Sequence, residues 1–278
     1  MGLFSGLEKY NIHGLGSSIS KGLFSNEKEK EKEDPEQKKE AVEEDYLFLK
    51  EYFCPVCEAK IKHPVLRTGK AKFLSSDIDL RPKYEFVEPL KYDIICCPSC
   101  GHTTLSRYFS KATSYERKFI TNEVTSKFRP TTFITATIYT NEEALLLYKL
   151  GLACAIVKKA HASEKAYLAL KAGWLIRTII ESSGKEDVSE LKQEEKMFLS
   201  SAREGFLIAR ETEMYPIAGM DEYTLDYLIA ALSFEIGDIT TSAKLTAELL
   251  TSTKTPTRIK NKTRELKDVM QNAIKKTN

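Results

Sequence analysis

The sequence has no long hydrophobic run, and this absence limits the classes of protein to which the chain can belong. The longest apolar stretch in a helical pattern, residues 144–157, contains Lys149 and is shorter than the roughly 20 residues of a membrane span. Residues 2–25 lack the apolar segment and the small-residue cleavage pattern of a secretory signal. We therefore expect a cytoplasmic protein.

The sequence also lacks a strong excess of one charge. The formal net charge of the 278 residues is +2, so the overall balance favours neither an acidic nor a basic partner. Two local stretches differ from this average: residues 27–45 carry five lysines and ten acidic residues, and residues 252–278 carry eight basic and two acidic residues. Only the second stretch offers the basic charge that nucleic-acid binding requires.

Recognisable catalytic residues are scarce as well. The chain has four histidines, and none lies in an acid–base pattern. It contains no glycine-rich phosphate loop, no G-x-S-x-G nucleophile turn and no His-Glu-x-x-His metalloprotease motif. We therefore expect no catalytic residues, no organic cofactor and no enzymatic activity.

Cysteine, in contrast, is present in a distinctive arrangement. Cys54 and Cys57 enclose Pro-Val, and Cys97 and Cys100 enclose Pro-Ser before Gly101. Two cysteines separated by two residues can direct both sulfur atoms to one side of a tight loop, and zinc favours four thiolates in a tetrahedron. We therefore predict that these four cysteines bind one zinc ion. The predicted ion is structural, because four thiolates leave no position for water or substrate.

Other roles for cysteine remain open. A single Cys-x-x-C pair can be a redox centre, and disulfides form in oxidising compartments. Cys96 lies out of step with the paired spacing and is expected to point away from the metal, whereas His102 is an alternative ligand. Cys154 falls in an apolar helix and reads as a small core residue. His63 is expected to lie at the surface or to be hydrogen-bonded.

The spacing of the two pairs predicts an inserted substructure. Thirty-nine residues separate Cys57 from Cys97, more than the roughly 15–20 of a simple ribbon. The insert is dense in charged and aromatic residues, which predicts either ion pairs that hold a small β-domain together or a recognition surface. These residues are Arg67, Asp77, Asp79, Arg81, Tyr84 and Tyr92.

Composition divides the chain into five segments. Residues 1–26 form a tail with two Gly-Leu-Phe-Ser copies, either partly ordered or a docking peptide, and residues 27–45 form a charged linker. Residues 46–112 have the short aromatic and β-branched runs of a zinc ribbon. We predict that residues 113–140 form a connector and that residues 141–278 form a tetratricopeptide-like helical domain. The predicted fold class is α+β, mainly α: a small β zinc ribbon followed by antiparallel helical hairpins.

Capping patterns support the helical half. Thr140 with Glu143, and Asp187 with Glu190, have the spacing of capping boxes that begin helices. Gly237 predicts the end of another helix, and Thr255-Pro256 the start of the last. The small residues Ala230, Ala231 and Ser242 would allow two helices to cross closely, as in one tetratricopeptide unit.

Several segments together resemble a known family. They are Cys-Pro-Val-Cys, Asp77-x-Asp79-x-Arg81-Pro82-x-Tyr84, Pro89-x-x-Tyr92-Asp93, Cys-Pro-x-Cys-Gly, and Tyr215-Pro-Ile-Ala-Gly-Met-Asp-Glu with Tyr227-Leu-Ile. The sequence resembles an uncharacterised bacterial family, catalogued as a domain of unknown function, with a zinc ribbon and a tetratricopeptide-like C-terminal half. The resemblance implies metal binding and a bacterial cytosolic setting, and implies no activity. Cys96 and His102 are the two departures from the family pattern.

Two functions follow from these features. A helical-hairpin stack offers a groove for a protein or peptide, which predicts an interaction scaffold with structural zinc. The alternative is a nucleic-acid-binding zinc ribbon, although residues 46–112 carry only eleven basic against seven acidic residues before the thiolates are counted.

Overall fold

The computed structural model describes residues 42–184 and 187–277. The expectations for the 1–26 tail, including the docking peptide, and for residues 27–41 of the linker concern residues outside this description. The described residues from Val42 onward belong to one compact unit.

The first part of this unit consists of three two-stranded antiparallel hairpins. Their strands are β1 (Leu47–Phe53) with β2 (Lys60–Leu66), β3 (Phe73–Ser76) with β4 (Pro82–Tyr84), and β5 (Ile94–Cys96) with β6 (Thr103–Leu105). Phe53 pairs with Lys60, and Cys96 pairs with Thr103, so each cysteine pair lies in the turn of a hairpin. The insert between the pairs contributes the middle hairpin.

Seven α-helices follow among the described residues, which confirms a mainly helical α+β fold. They are α1 (Ser114–Ile120), α2 (Asn141–Val157), α3 (Ala162–Ser182), α4 (Ser189–Thr212), α5 (Glu222–Ile236), α6 (Ile239–Thr251) and α7 (Thr257–Thr277). Within the described ranges, no helix is both long and apolar enough to cross a membrane.

The helix ends show which capping patterns form. The predicted box at α2 is present: the Thr140 hydroxyl accepts from the Glu143 N–H at 3.1 Å, and the Glu143 carboxylate accepts from the Thr140 N–H at 2.8 Å. Gly237 ends α5 with a φ of 94°. The box predicted at Asp187 and Glu190 is wrong, because α4 begins at Ser189 and the Asp187 carboxylate accepts from the Ser189 N–H at 2.9 Å. The Asp187 carboxylate is therefore engaged in a short turn before the helix and does not cap the N–H of Glu190.

Each helix from α2 to α7 packs against the next along the chain, as a stack of helical hairpins requires. Ala230, Ala231 and Ser242 are fully buried on α5 and α6, and these two helices pack against each other. A close crossing at these three residues stays a prediction. Helices α3 and α4 also approach closely, since a Cβ on Gly205 would lie 2.9 Å from the Cβ of Ala166. The tetratricopeptide likeness of this stack remains a prediction.

The hairpins and the helices share one hydrophobic core. Ile94 and Leu105 of the third hairpin are fully buried in the same cluster as Tyr148 and Leu168 of the helices. The Tyr148 hydroxyl donates to the Leu90 carbonyl at 2.9 Å, and the nearest atom to a Cβ built on Gly151 is the Cδ1 of Ile94, at 3.0 Å. The division into a 46–112 domain and a 141–278 domain stays a prediction. Residues of both segments belong to one hydrophobic core.

A buried ion network fastens the insert to the helices. Arg81 has 2% of its surface exposed and pairs with Asp77 at 2.6 Å and Glu181 at 2.5 Å. Asp79, fully buried, accepts from the Trp174 indole N–H at 2.9 Å and pairs with Arg177 at 3.0 Å. The expected ion pairs are thus present, and their partners Glu181, Trp174 and Arg177 lie on α3. The network therefore docks the insert on the helical stack.

Candidate metal centre

The two cysteine loops have the same backbone hydrogen bonds. In the first, the Cys54 N–H donates to the Ala59 carbonyl and the Glu58 N–H donates to the Cys54 carbonyl, both at 2.9 Å. In the second, the Cys97 N–H donates to the His102 carbonyl and the Gly101 N–H to the Cys97 carbonyl, again at 2.9 Å. We call residues 54–58 the first knuckle and residues 97–101 the second knuckle. Both knuckles end on a left-handed residue.

The four cysteine sulfur atoms converge at one point. All four Sγ atoms lie within 4.8 Å of one another, and the distances from Cys54 to Cys100 and from Cys57 to Cys97 are 3.6 Å. A tetrahedron with metal–sulfur bonds of about 2.3 Å has sulfur–sulfur edges of about 3.8 Å. The cluster therefore fits a four-thiolate metal ion, and its cysteines are free of disulfides.

Crowding of the sulfurs governs their protonation. Thiol hydrogen bonds from Cys100 and Cys54 hold the pKa of Cys97 well below its usual range. The corresponding bonds to Cys54 and Cys97 raise the pKa of Cys100 far above its ordinary value. Four neighbouring thiolates repel one another, and a divalent cation would offset this repulsion and displace the remaining protons. The donor set is therefore suited to a metal that binds thiolates.

The second knuckle is enclosed by the rest of the protein. The Thr125 hydroxyl donates to the Cys100 carbonyl at 2.9 Å, and the Cys154 thiol of α2 contacts the Gly101 carbonyl at 3.6 Å. Gly101 has a φ of 75°, and a Cβ there would lie 2.6 Å from the Phe128 ring. Glycine is required at this position by both backbone conformation and space.

The first knuckle is more open. Cys57 is exposed, whereas the other three cysteines of the cluster are buried. Glu58 occupies the position that matches Gly101, with a φ of 62°. A side chain in this left-handed region is strained, so the first knuckle forms at some cost in backbone energy.

The remaining candidate side chains lie outside the cluster. Cys96 is buried and its thiol contacts the Cys97 carbonyl at 3.7 Å, and Cys154 is a core residue beside Ile120, as expected. His102 is buried against Phe109, with ring centroids 5.2 Å apart, and burial lowers its pKa to about 4. Neither Cys96 nor His102 belongs to the group of four sulfurs.

His63 takes the hydrogen-bonded alternative. Its Nε2 lies 3.2 Å from the Tyr92 carbonyl, and its side chain is buried. Burial lowers the pKa of this imidazole to about 4, so the ring is neutral at neutral pH. In that state Nε2–H donates to the carbonyl, which links β2 to the segment before β5.

Sequence reasoning missed the side chains that support the second knuckle. Thr125 and Phe128 lie in the connector and carry no metal-binding pattern of their own. The αL glycine that ends Cys-Pro-Ser-Cys-Gly was the one available signal, since it marks a close backbone approach. The residue that fills that space is more than twenty positions away and is identified by the fold alone.

The comparisons with known proteins give one match. A model of a family described as uncharacterized proteins conserved in bacteria, DUF2225, matches residues 47–270, more than half of the chain and all four clustered cysteines. Among curated proteins and solved structures, no significant match was found.

Proposed function

The chain belongs to the DUF2225 family of uncharacterized bacterial proteins, and on that premise we propose that it is a non-catalytic, zinc-binding scaffold for a protein or peptide partner. In this proposal Cys54, Cys57, Cys97 and Cys100 hold one structural zinc ion. The helical stack presents the partner-binding surface. The location we propose is the cytoplasm, where thiols remain reduced.

The observation that carries the metal assignment is the convergence of four thiols within 4.8 Å. Zinc accepts this donor set in a closed tetrahedron, so it would link the two hairpins without offering a site for substrate. The four cysteines would thus stabilise the fold by holding the two hairpins together through the metal. The proposed absence of catalysis rests on this closed donor set and on the lack of catalytic motifs in the sequence.

Native mass spectrometry and elemental analysis test the metal. We expect one zinc ion per wild-type chain, and loss of tightly bound zinc in Cys57→Ser and in Cys100→Ser. Cys96→Ala is the matched control, because Cys96 lies outside the cluster, and it should retain zinc. Undiminished zinc in both serine variants would refute the site.

Exposed apolar side chains on α4 support the scaffold role. Met197 and Ile208 have 64% and 47% of their surface exposed and lie eleven residues apart, so they share a face of the helix. Met214, just after the helix, is 92% exposed. Flexible methionines suit adaptable binding surfaces.

Cross-linking with mass spectrometry in the native cell tests this surface on the full chain. Met197→Glu with Ile208→Glu should remove a reproducible set of cross-linked partners. Gln271→Glu with Asn272→Glu adds the same charge on exposed positions of α7 and should keep them. An unchanged partner set in the α4 variant would contradict the proposal.

Nucleic-acid binding is the second candidate, favoured by one observation. Helix α7 carries exposed Arg258, Arg264 and Lys267, within the basic stretch that ends the sequence. Phosphate contacts weaken as salt rises. A gel shift with duplex DNA or RNA that weakens with salt would favour this candidate, and no shift at low salt would exclude it.

A further inference from the structure

A cleft of about 770 Å³ opens between the first hairpin, the 82–93 segment and helices α3 and α5. This volume lies in the range of roughly 300–1,000 Å³ typical of small-molecule sites. None of the clustered cysteines contributes to its lining. Its walls are rich in aromatic rings: Tyr52, Tyr84, Tyr92, Tyr167 and Trp174.

Two cations in the cleft have no carboxylate partner among the described residues. The ammonium group of Lys50 lies 5.1 Å from the centre of the Tyr52 ring and forms no ion pair with the residues that the structure describes. The Arg107 guanidinium donates to the Ala218 carbonyl at 2.8 Å and lies 5.5 Å from the centre of the Tyr167 ring. Arg107 is therefore oriented by a backbone carbonyl, and its positive charge has no carboxylate partner in the described part of the chain.

The two carboxylates of the cleft are already engaged. Asp93 accepts from the Ser106 hydroxyl at 2.5 Å and pairs with Lys171. Glu88 accepts from the Leu90 N–H at 3.1 Å and from the Thr178 hydroxyl at 3.2 Å, and burial raises its pKa. With Asp93 paired to Lys171, the two positive charges of Lys50 and Arg107 face at most one negative charge, that of Glu88, so the net charge left to meet a ligand is positive.

A tight turn orients Arg107. Ile217 bridges Met220, and the two residues between them, Ala218 and Gly219, have positive φ values of 49° and 85°. The turn brings the Ala218 carbonyl to Arg107 and places Met220 in the cleft lining. Three segments that carry the family resemblance, apart from the cysteines, thus meet at this cleft: 77–84, 89–93 and 215–222.

From this arrangement we propose that the cleft binds a small anionic ligand with an apolar, aromatic body. Lys50 and Arg107 recognise its carboxylate or phosphate group, and the aromatic wall packs against its body. Charge-assisted hydrogen bonds fix the anion, and ring stacking adds affinity for the body. The site is separate from the metal centre and goes beyond the scaffold function.

A pair of fluorescent probes tests the proposal on the full chain. The anionic probe is 8-anilinonaphthalene-1-sulfonate, and the neutral probe is N-phenyl-1-naphthylamine, which lacks the sulfonate. In Lys50→Gln with Arg107→Gln we expect the Kd of the anionic probe to rise about tenfold or more, the loss expected for one or two charge-assisted bonds. The Kd of the neutral probe should change by less than about twofold, since the aromatic wall is intact.

Lys254→Gln is the matched control, because Lys254 is exposed and is not one of the residues that line the cleft. It should bind both probes as the wild type does. Equal anionic-probe affinity in wild type and double variant, equal losses for both probes, or no binding to the wild type would overturn the proposal. If circular dichroism shows that Arg107→Gln fails to fold, Lys50→Gln alone decides by the same criterion, with about a threefold loss expected.

Competition separates the two anion chemistries. Displacement of the anionic probe by 1-naphthoate identifies a carboxylate site, and displacement by 1-naphthyl phosphate identifies a phosphate site. Either result supports the proposal when neutral 1-naphthol competes at least tenfold more weakly. Equal competition by 1-naphthol would show an apolar pocket without anion recognition and would overturn it.

Discussion

The two knuckles have the same backbone hydrogen bonds but different surroundings. The first knuckle is partly open, with Cys57 exposed and Glu58 in a left-handed conformation. The second is enclosed by Phe128, Thr125 and Cys154. The shared geometry therefore arises from local sequence, whereas the difference in support comes from distant packing. We therefore expect substitutions in the second knuckle to destabilise the protein more than matching substitutions in the first.

The largest expected effect is the loss of a metal ligand on each side. Cys57→Ser and Cys100→Ser should both lose zinc, and with zinc present each should have a free energy of unfolding several kcal/mol below that of the zinc-loaded wild type, since structural zinc contributes folding energy. Cys100→Ser should cost more, because it places a hydroxyl in a buried site. Chemical denaturation with and without a chelator measures this. Equal losses for the two variants would remove the distinction between the knuckles.

The next effect concerns the residue that ends each knuckle. Gly101→Ala should cost roughly 2–4 kcal/mol, because a Cβ at positive φ would also overlap the Phe128 ring. Glu58→Ala is the control: this position already carries a Cβ, so stability should change by less than about 0.5 kcal/mol. Thermal unfolding gives both values. A Phe128→Ala background should recover part of the Gly101→Ala loss, and no recovery would contradict the proposed overlap.

Much of the fold could be predicted because its signals are local. Cys-Pro-x-Cys defines each knuckle within four residues, and Thr140 with Glu143 defines the start of α2 within one turn. The apolar periodicity of α5 and the αL glycine at its end act over the same short range. The α+β class, the clustered cysteines and most helix ends follow from such patterns.

The rest depends on contacts between distant positions. Arg81 meets Glu181 across one hundred residues, and Gly101 meets Phe128 across the connector. Neither partner carries a distinctive pattern of its own. The left-handed conformation of Glu58 cannot be predicted from the sequence, because no glycine marks the position. The spacing of Asp187 and Glu190 predicts a capping box, but aspartate is equally common in the short turn that it forms with the Ser189 N–H. The cleft likewise combines segments that the sequence separates.

An acid-dependent effect concerns the contact between the first hairpin and the segment before β5. His63 is neutral when folded, with a pKa near 4, whereas the unfolded ring titrates near 6.5. Between these values the unfolded state binds more protons, so stability should fall as pH decreases below about 6.5 and level off below about 4. The loss from this ring should reach about 2 kcal/mol at pH 5.

His63→Gln isolates this contribution, because glutamine keeps a donor for the Tyr92 carbonyl but does not titrate. Urea unfolding at pH 8 and pH 5 should show a smaller decrease for the variant than for the wild type. Thiolate protonation acts on both proteins and cancels in the difference. The same decrease in both would show that His63 is not buried as a neutral ring.

The smallest effect is a gain. Glu58→Gly should relieve the strain of a side chain at a φ of 62°. The left-handed conformation costs about 1–2 kcal/mol for an ordinary residue, and the added chain entropy of glycine offsets about 0.5–1 kcal/mol of the relief. We expect a net stabilisation of up to about 1 kcal/mol in denaturant unfolding. A loss of stability would mean that the exposed knuckle depends on the Glu58 side chain.

The core that joins hairpins and helices has a consequence for synthesis on the ribosome. The four clustered cysteines emerge before the helices that bury Ile94 and Leu105 have been made. Chains are synthesised from the N-terminus at about 5–20 residues per second. We therefore expect the proposed metal to bind first, so that it would link the two hairpins while their apolar faces are still uncovered. A shortage of metal would then cause misfolding of the growing chain, whereas the completed protein, with its core already formed, would be less affected.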